Sequence, residues 1–299
     1  SWAGYTWTPY RKRSQNRCEP GSPFRGAAMI LRKELPHMFL DWNRAHKAPN
    51  GPYWWYRLSH SRFRRYVWDN RMRLPDVLMR VLGPFAFQAN SLTRIAEYPW
   101  CYHATELVPG MEVIELGAGS SGFQFVLSEA GLRVTSVDPL INPDETVEWR
   151  FADRDFQKLN NAMGSDVYFV RQYLQKAALR KEFYHRVFSI SVIEHIPQAE
   201  TYAIMQEIAR VLKPGGFLIM TIDLFLDLSP FTSKKQNIWG TNIDIKALVE
   251  ASGMERVVGD ESELHGYAAF DPRVILERAD EFFTANLVAA QGIVLQKQR

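Results

Sequence analysis

Residues 113–122 read VIELGAGSSG, an apolar run of β type with an acidic residue inside it, then glycines spaced G-x-G-x-x-G, then Phe123, Phe125, Val126 and Leu127. This order predicts a strand, a tight glycine turn and the first turns of a helix. Gly117 and Gly119 let the backbone take dihedrals closed to other residues and come close to a ligand, and Gly122 lets the new helix pack on the strand. The helix start presents free N–H groups beside the turn.

Residues 133–138, RVTSVD, form a second β run ending in a carboxylate about twenty positions after the glycines, where an acid can take both hydroxyls of a ribose. Beyond Asp138 the types keep alternating. A helix is expected over 144–163, strands over 166–171 and 186–192, a helix over 199–212, and a strand over 217–222 after Lys213-Pro214-Gly215-Gly216. Strands alternating with helices imply right-handed crossovers and a parallel sheet. Residues 223–242 are too long for a plain connection and read as a lid or substrate loop. A helix at 243–252, a short strand at 255–258, an insert over 260–284 and a last strand at 292–297 complete the chain. The expected fold is α/β: a Rossmann-like, doubly wound, mostly parallel sheet of about seven strands with an N-terminal helical extension.

The 299 residues are 46% apolar, enough for a large core. No stretch approaches eighteen apolar residues, and the first residues lack a secretory apolar segment, so a cytoplasmic protein without a membrane span is expected. Cys18 and Cys101 are the only cysteines, which excludes a disulfide scaffold and a multi-cysteine zinc site. Residues 1–74 hold 15 Lys+Arg against 4 Asp+Glu, a balance of +11, whereas the remainder holds 21 against 29, a balance of −8. The two regions face different partners.

Residues 1–28 have no hydrophobic period and read as a flexible basic lead. From 29 to 73 aromatics interleave with arginines, Arg64 and Arg65 among them. A phosphate or nucleic-acid surface is one reading; an amphipathic helix with packed aromatics and solvated arginines is the other. The second fits better, because Leu58, Phe63, Tyr66 and Val67 fall near one face. Helices are expected over 75–82 and 87–107, broken at Gly83 and Pro84 and interrupted by Pro99. Residues 97–107 lead into the first strand, which makes Tyr98, Trp100, Tyr102 and His103 candidates for a pocket wall, with packing as the competing role. The N-terminal helical region, a lid or accessory unit, thus spans 29–108 and the main domain 109–299.

In an open α/β sheet ligands bind beyond the carboxyl ends of the strands. Those ends carry Gly117 to Gly122, Asp138 with Pro139, Gln172 with Tyr173, Ser191 to His195, and Asp223. With IELGAGSSG, SVDP, SVIEHI and LKPGGFLIM in order, the chain resembles the class I S-adenosylmethionine-dependent methyltransferases, from about Pro109 to Gly216 and more loosely beyond. The resemblance implies S-adenosylmethionine as cofactor. It sets Glu115, Gly117, Ala118, Gly119 and Gly122 against the methionine part, Asp138 and Pro139 at the ribose, Gln172 and Tyr173 beside the adenine, and Ser191 and Val192 at the fourth strand. An acidic residue often receives the adenine amine in this family; here Gln172 stands instead and can accept through its amide oxygen.

Methyl transfer needs an in-line approach by a lone pair, and a base when the acceptor is a hydroxyl. His195 and Glu194 are the candidates for that base; the alternatives are a structural histidine packed beneath the cofactor, as the resemblance implies, and a solvated glutamate at a helix start. Asp223, Tyr98, Tyr102, His103, Arg64 and Arg65 are the candidates for the acceptor side. SVIEHI lacks the Asn/Asp-Pro-Pro-Tyr/Phe sequence of enzymes acting on base amines, and so resembles the small-molecule branch, with an acceptor that carries negative charge. An RNA or protein methyltransferase, or a non-catalytic module of the same fold, are the alternatives. Replacing Arg64 and Arg65 together by alanine is expected to weaken acceptor kinetics and leave cofactor affinity unchanged; unaltered acceptor kinetics would count against a lid role for this region.

Overall fold

The computed structural model describes residues 30–48, 69–88, 90–140 and 153–299. Arg64 and Arg65, the 1–28 lead and the first part of the helix expected at 144–163 lie outside the described residues.

Eight strands form one sheet: β1 (Glu112–Leu116), β2 (Arg133–Val137), β3 (Tyr168–Val170), β4 (Tyr184–Ile190), β5 (Leu212–Phe225), β6 (Glu255–Val258), β7 (Thr284–Ala285) and β8 (Val288–Gln296). The helices are α1 (His37–Ala45), α2 (Asp76–Leu82), α3 (Arg94–His103), α4 (Phe123–Glu129), α5 (Asp153–Met163), α6 (Gln198–Val211), α7 (Ile245–Ser252) and α8 (Pro272–Glu277). The strand order is β3-β2-β1-β4-β5-β8-β6, with the two-residue β7 pairing β8. Neighbours from β3 to β5 run parallel, while β8 is antiparallel to both β5 and β6. This is the expected doubly wound sheet. The chain leaves β1 outward to β3 and returns on the other side to β4, so the switch point lies between β1 and β4.

β5 and β8 are longer than their local patterns indicate. Nine registered pairs, from Phe217↔Gln296 to Phe225↔Val288, join β5 to β8. A partner almost eighty residues away in sequence thus carries β5 through Asp223, and the expected substrate loop begins only after Phe225.

Pro99 does not interrupt α3. Proline removes the N–H that would bond the carbonyl four residues back, and here the Asn43 side chain of α1 donates to the Ile95 carbonyl at 2.7 Å in its place. The helix also starts later than expected, at Arg94; residues 84–86 form a 3₁₀ turn with Phe85 and Phe87 buried.

That turn explains Gly122. Its φ of −68° is open to any residue, but a Cβ there would lie 2.6 Å from the Phe85 ring and 2.8 Å from the Phe85 backbone nitrogen. Gly122 is needed for the approach of the N-terminal segment, rather than for packing of α4 on its own strand. Phe85 in turn packs against Trp42 and Tyr98, whose ring stacks on Phe123 at 5.6 Å. Residues from α1, α2 and α3 share one apolar core with the sheet.

At the far side, Ile30 bridges to Gln291 of β8 and Arg32 to Phe282. Buried Glu263 accepts from the Ile30 N–H at 3.0 Å and from Arg32 at 2.5 Å. Among the described residues no helix is long and apolar enough to cross a membrane.

Gly122→Ala forces a methyl group onto backbone that cannot rotate away. It is expected to cost about 1–3 kcal/mol in a urea titration; an unchanged midpoint would show that the Phe85 turn shifts without cost.

Candidate functional site

The glycine turn leaves β1 with Gly117 at φ +66° and its N–H on the Val137 carbonyl of β2 at 2.9 Å. A Cβ on Gly117 would sit 2.6 Å from both methyl groups of Val192, so the turns after β1 and β4 are in contact across the switch point. The loop is held by its own helix and by the N-terminal segment. Gln124 donates to the Gly119 and Ser121 carbonyls at 3.2 and 2.9 Å, and Ser120 donates to the Gln88 side chain at 3.2 Å. Ala118 is buried within it. Neither Gln88 nor Gln124 carries a motif by which the sequence would single it out.

Asp138 stands at the end of β2, flanked by half-exposed Pro139. Its Oδ2 accepts from the Gly119 N–H at 2.7 Å and its Oδ1 from the Leu140 N–H at 2.6 Å. Burial pushes its carboxyl above the usual range, while the two N–H donors and Arg171 pull it back. Each oxygen keeps a lone pair for a further donor, so the carboxylate is oriented without being saturated. After β3, the Gln172 side-chain oxygen accepts from the Tyr173 N–H at 3.0 Å, and Tyr173 is exposed.

Glu115 lies inside β1 between Ser136 of β2 and Phe188 of β4. It is buried, and its Oε2 has no hydrogen-bond partner. Burial pushes this carboxyl up to about 8, with the neighbouring Asp138 charge adding to the effect.

The carboxyl ends of β4 and β5 meet in a buried polar cluster. Ser191 takes a left-handed φ of +47°. Its hydroxyl lies 2.7 Å from Glu97, 3.1 Å from Asp223 and 2.6 Å from Arg94. Thr221 donates to Glu97 at 2.7 Å, and Arg94 pairs with the other Glu97 oxygen. Glu97 is held below the usual carboxylate range: burial alone would raise it, but Arg94 and then the Ser191 and Thr221 hydroxyls outweigh that. Asp223 is pushed well above its usual range by burial, then by Glu194 and Glu97.

Glu194, whose bland reading is a solvated helix start, is 1% exposed instead. Its Oε1 accepts from the Asp223 N–H at 3.0 Å, its Oε2 has no partner, and burial raises its carboxyl to about 7. The turn carrying it is covered by the 226–242 loop, where the Thr241 N–H donates to the Glu194 carbonyl at 3.2 Å. His195 is exposed beside it, with Nδ1 against the Trp239 carbonyl.

Asp138, the glycine turn, Ser191, Val192, Glu194, His195 and Asp223 are thus gathered at one edge of the sheet. Among the α3 aromatics, Tyr98 reaches the glycine turn: it is buried, its hydroxyl donates to Asn90 at 2.8 Å and accepts from Ser121 at 3.4 Å, and its ring packs on Phe85 and Phe123. Tyr102 packs on Trp42 at 5.6 Å and His103 stacks on Phe39 at 6.1 Å. Packing against α1 claims these two rings. Arg94 and Glu97 enter the cluster with no local motif to signal it; an Arg and a Glu three apart on a helix ordinarily read as a solvated pair.

Glu115 and Glu194 hold protons more tightly folded than unfolded. The stability this confers is fully present below the ordinary carboxylate range and is lost as pH rises through about 7 to 8. The thermal midpoint is therefore expected to fall between pH 5 and 8, and Glu115→Gln to remove much of that slope; an equally steep slope in the variant would refute the assignment to Glu115.

Residues 114–220 match the family model described as a methyltransferase domain. No curated protein matches the chain. Among solved structures, an S-adenosylmethionine-dependent methyltransferase from Mesorhizobium loti is 13% identical, covering 67% of this chain and 97% of that one, with a TM-score of 0.47. The [4+2]-cyclase SpnF is 15% identical over 77% of this chain and 94% of its own, with a TM-score of 0.49. Phosphoethanolamine N-methyltransferase 2 of Haemonchus contortus is 16% identical over 80% and 60%, with a TM-score of 0.44. On the family match, the strand order and the glycine turn beside Asp138, residues 114–220 form a class I S-adenosylmethionine-dependent methyltransferase domain, with S-adenosylmethionine as its cofactor.

Proposed function

We propose that the protein transfers the methyl group of S-adenosylmethionine to an oxygen or nitrogen of a small-molecule acceptor bound over the carboxyl ends of β4 and β5. The residues present fit the cofactor: Gly117 provides backbone without a side chain, and Asp138 offers an oriented, unsaturated carboxylate. When bound, the cofactor supplies a methyl group on a sulfonium sulfur. Gly117 to Gly122 with Val192 would flank its methionine part, Asp138 its ribose, and Gln172 with Tyr173 its adenine.

His195 is poised as a base. The Trp239 carbonyl that faces Nδ1 only accepts hydrogen bonds, so in the neutral ring Nδ1 carries the proton and Nε2 keeps its lone pair. An acceptor hydroxyl or amine at Nε2 would lose its proton there as its lone pair is methylated. The 226–242 loop, pinned by Asn242 to Phe225 and Ser229, holds the Trp239 carbonyl in place.

The observation that favours a small molecule is the charge at this edge. Glu115, Asp138, Glu194 and Asp223 stand toward the ends of β1, β2, β4 and β5, with Glu115, Glu194 and Asp223 displaced toward their neutral forms, so these side chains give a polyphosphate backbone no cation to pair with. The edge equally favours a neutral or cationic reacting group on the acceptor; any anionic handle would have to reach the basic N-terminal residues.

Calorimetry of the intact chain is expected to show one S-adenosylmethionine site, and Asp138→Ala to weaken it at least tenfold, about 1.4 kcal/mol. Cofactor at a hundred times its Kd would add about 2.7 kcal/mol of stability. Absence of binding by the wild-type chain would overturn the proposal, and methyl transfer to RNA in preference to small molecules would overturn its acceptor.

A further inference from the structure

We propose that Glu97 of α3, which lies upstream of the matched methyltransferase segment, is a positioning residue for the cofactor site, holding Ser191 in its left-handed conformation so that Val192 seats on Gly117. The role rests on the glycine turn being the S-adenosylmethionine site.

Ser191 is the point of strain. A non-glycine residue in the left-handed region costs on the order of 1 kcal/mol and persists only where its surroundings over-determine it. Its backbone is tied once, by its N–H on the Thr221 carbonyl at 3.0 Å. The rest of the restraint is on its hydroxyl. That group has a single proton and two lone pairs, and three partners surround it: Glu97 at 2.7 Å, Arg94 Nη1 at 2.6 Å and Asp223 at 3.1 Å. Arg94 can only donate. Glu97 is the shorter of the two carboxyl contacts, is held ionised by Arg94, and so takes the Ser191 proton. Asp223 Oδ1 is the longer contact at 3.1 Å, so the single Ser191 proton is directed chiefly at Glu97 while Arg94 donates to the hydroxyl oxygen. The hydroxyl is thereby held in one orientation.

Glu97 binds three other members of this cluster at once. It is fully buried and takes Thr221 and Ser191 on Oε1 and Arg94 on Oε2. It therefore fixes the end of β4 relative to β5 and α3 together. The consequence reaches the ligand edge in one residue: Val192 follows Ser191, and its methyl groups fill the space a Gly117 Cβ would occupy. Rotating Ser191 out of the left-handed region would carry Val192 off the glycine turn and loosen the backbone that the cofactor approaches.

The experiment compares cofactor affinity by calorimetry in the wild type, Glu97→Gln, Ser191→Ala, and Glu97→Gln combined with Ser191→Gly, with thermal midpoints recorded alongside. Glu97→Gln keeps the side-chain volume and is expected to raise the Kd for S-adenosylmethionine about tenfold. Ser191→Ala leaves the Arg94–Glu97 pair whole and is expected to lose a similar factor, so the result does not depend on Glu97→Gln folding. Adding Ser191→Gly to Glu97→Gln restores no hydrogen bond, but glycine adopts the left-handed φ without a Cβ penalty; affinity is expected to recover at least threefold, while the thermal midpoint stays low. A Glu97→Gln or Ser191→Ala protein that binds within twofold of wild type would overturn the role. So would a double variant that binds no better than Glu97→Gln, because a purely structural Glu97 would act through stability alone. Wild-type protein that fails to bind would remove the cofactor reading first and this role with it.

Discussion

The buried contact between Arg94 and Glu97 is the interaction on which the arrangement of the site depends. A carboxylate with no exposure is costly unless it is paired and hydrogen-bonded, and Glu97 meets both conditions by drawing its partners from three elements at once: Arg94 from α3, Ser191 from the end of β4 and Thr221 from β5. The pair thus joins the N-terminal extension to the two strands that form one wall of the cleft. Phe85 packed at Gly122, and Gln88 bonded to Ser120, make the same junction at the other wall. The extension is built into the site from both sides, so its packing and the shape of the glycine turn are not independent.

The charges at this edge are arranged unevenly. Glu97 is paired and ionised, whereas Asp223, Glu194 and Glu115 are buried without a cation each and are displaced toward their neutral forms. Neutral carboxyls are donors as well as acceptors. The floor beneath the cleft therefore offers hydrogen atoms at positions where a count of acidic residues alone would predict only negative charge. His195, which touches none of these groups, stands outside on the exposed rim with its orientation taken from the Trp239 carbonyl.

Much of the sheet was legible because its signals are local. A strand followed by G-x-G-x-x-G occupies ten consecutive residues with a helix directly after them, and Asp138 follows at the distance that one crossover sets. The features that sequence alone misjudged depend on distant partners. Pro99 reads as a break until Asn43, more than fifty residues earlier, supplies the missing donor. Gly122 reads as a glycine of the α4–strand contact until Phe85 arrives. Tyr102 and His103 read as pocket walls, but the rings of α1 compete for them. Glu194 reads as solvated, since nothing local announces that residues 226–242 will fold over it. In each case the residue type was visible and the neighbour that decides its role was not.

The pairing of Ile30 with Gln291 sets the order in which the molecule can be completed. The first described segment docks on β8, about 260 positions later in the chain, and β8 itself is the antiparallel strand wedged between β5 and β6. During synthesis the parallel strands β1 to β5 can assemble as they emerge, but the edge of β5 stays open until β8 is made. Ile30 then waits for a partner made about 260 residues later. A chain halted before β8 would present the unpaired edge of its longest strand, the kind of surface on which chains associate with one another.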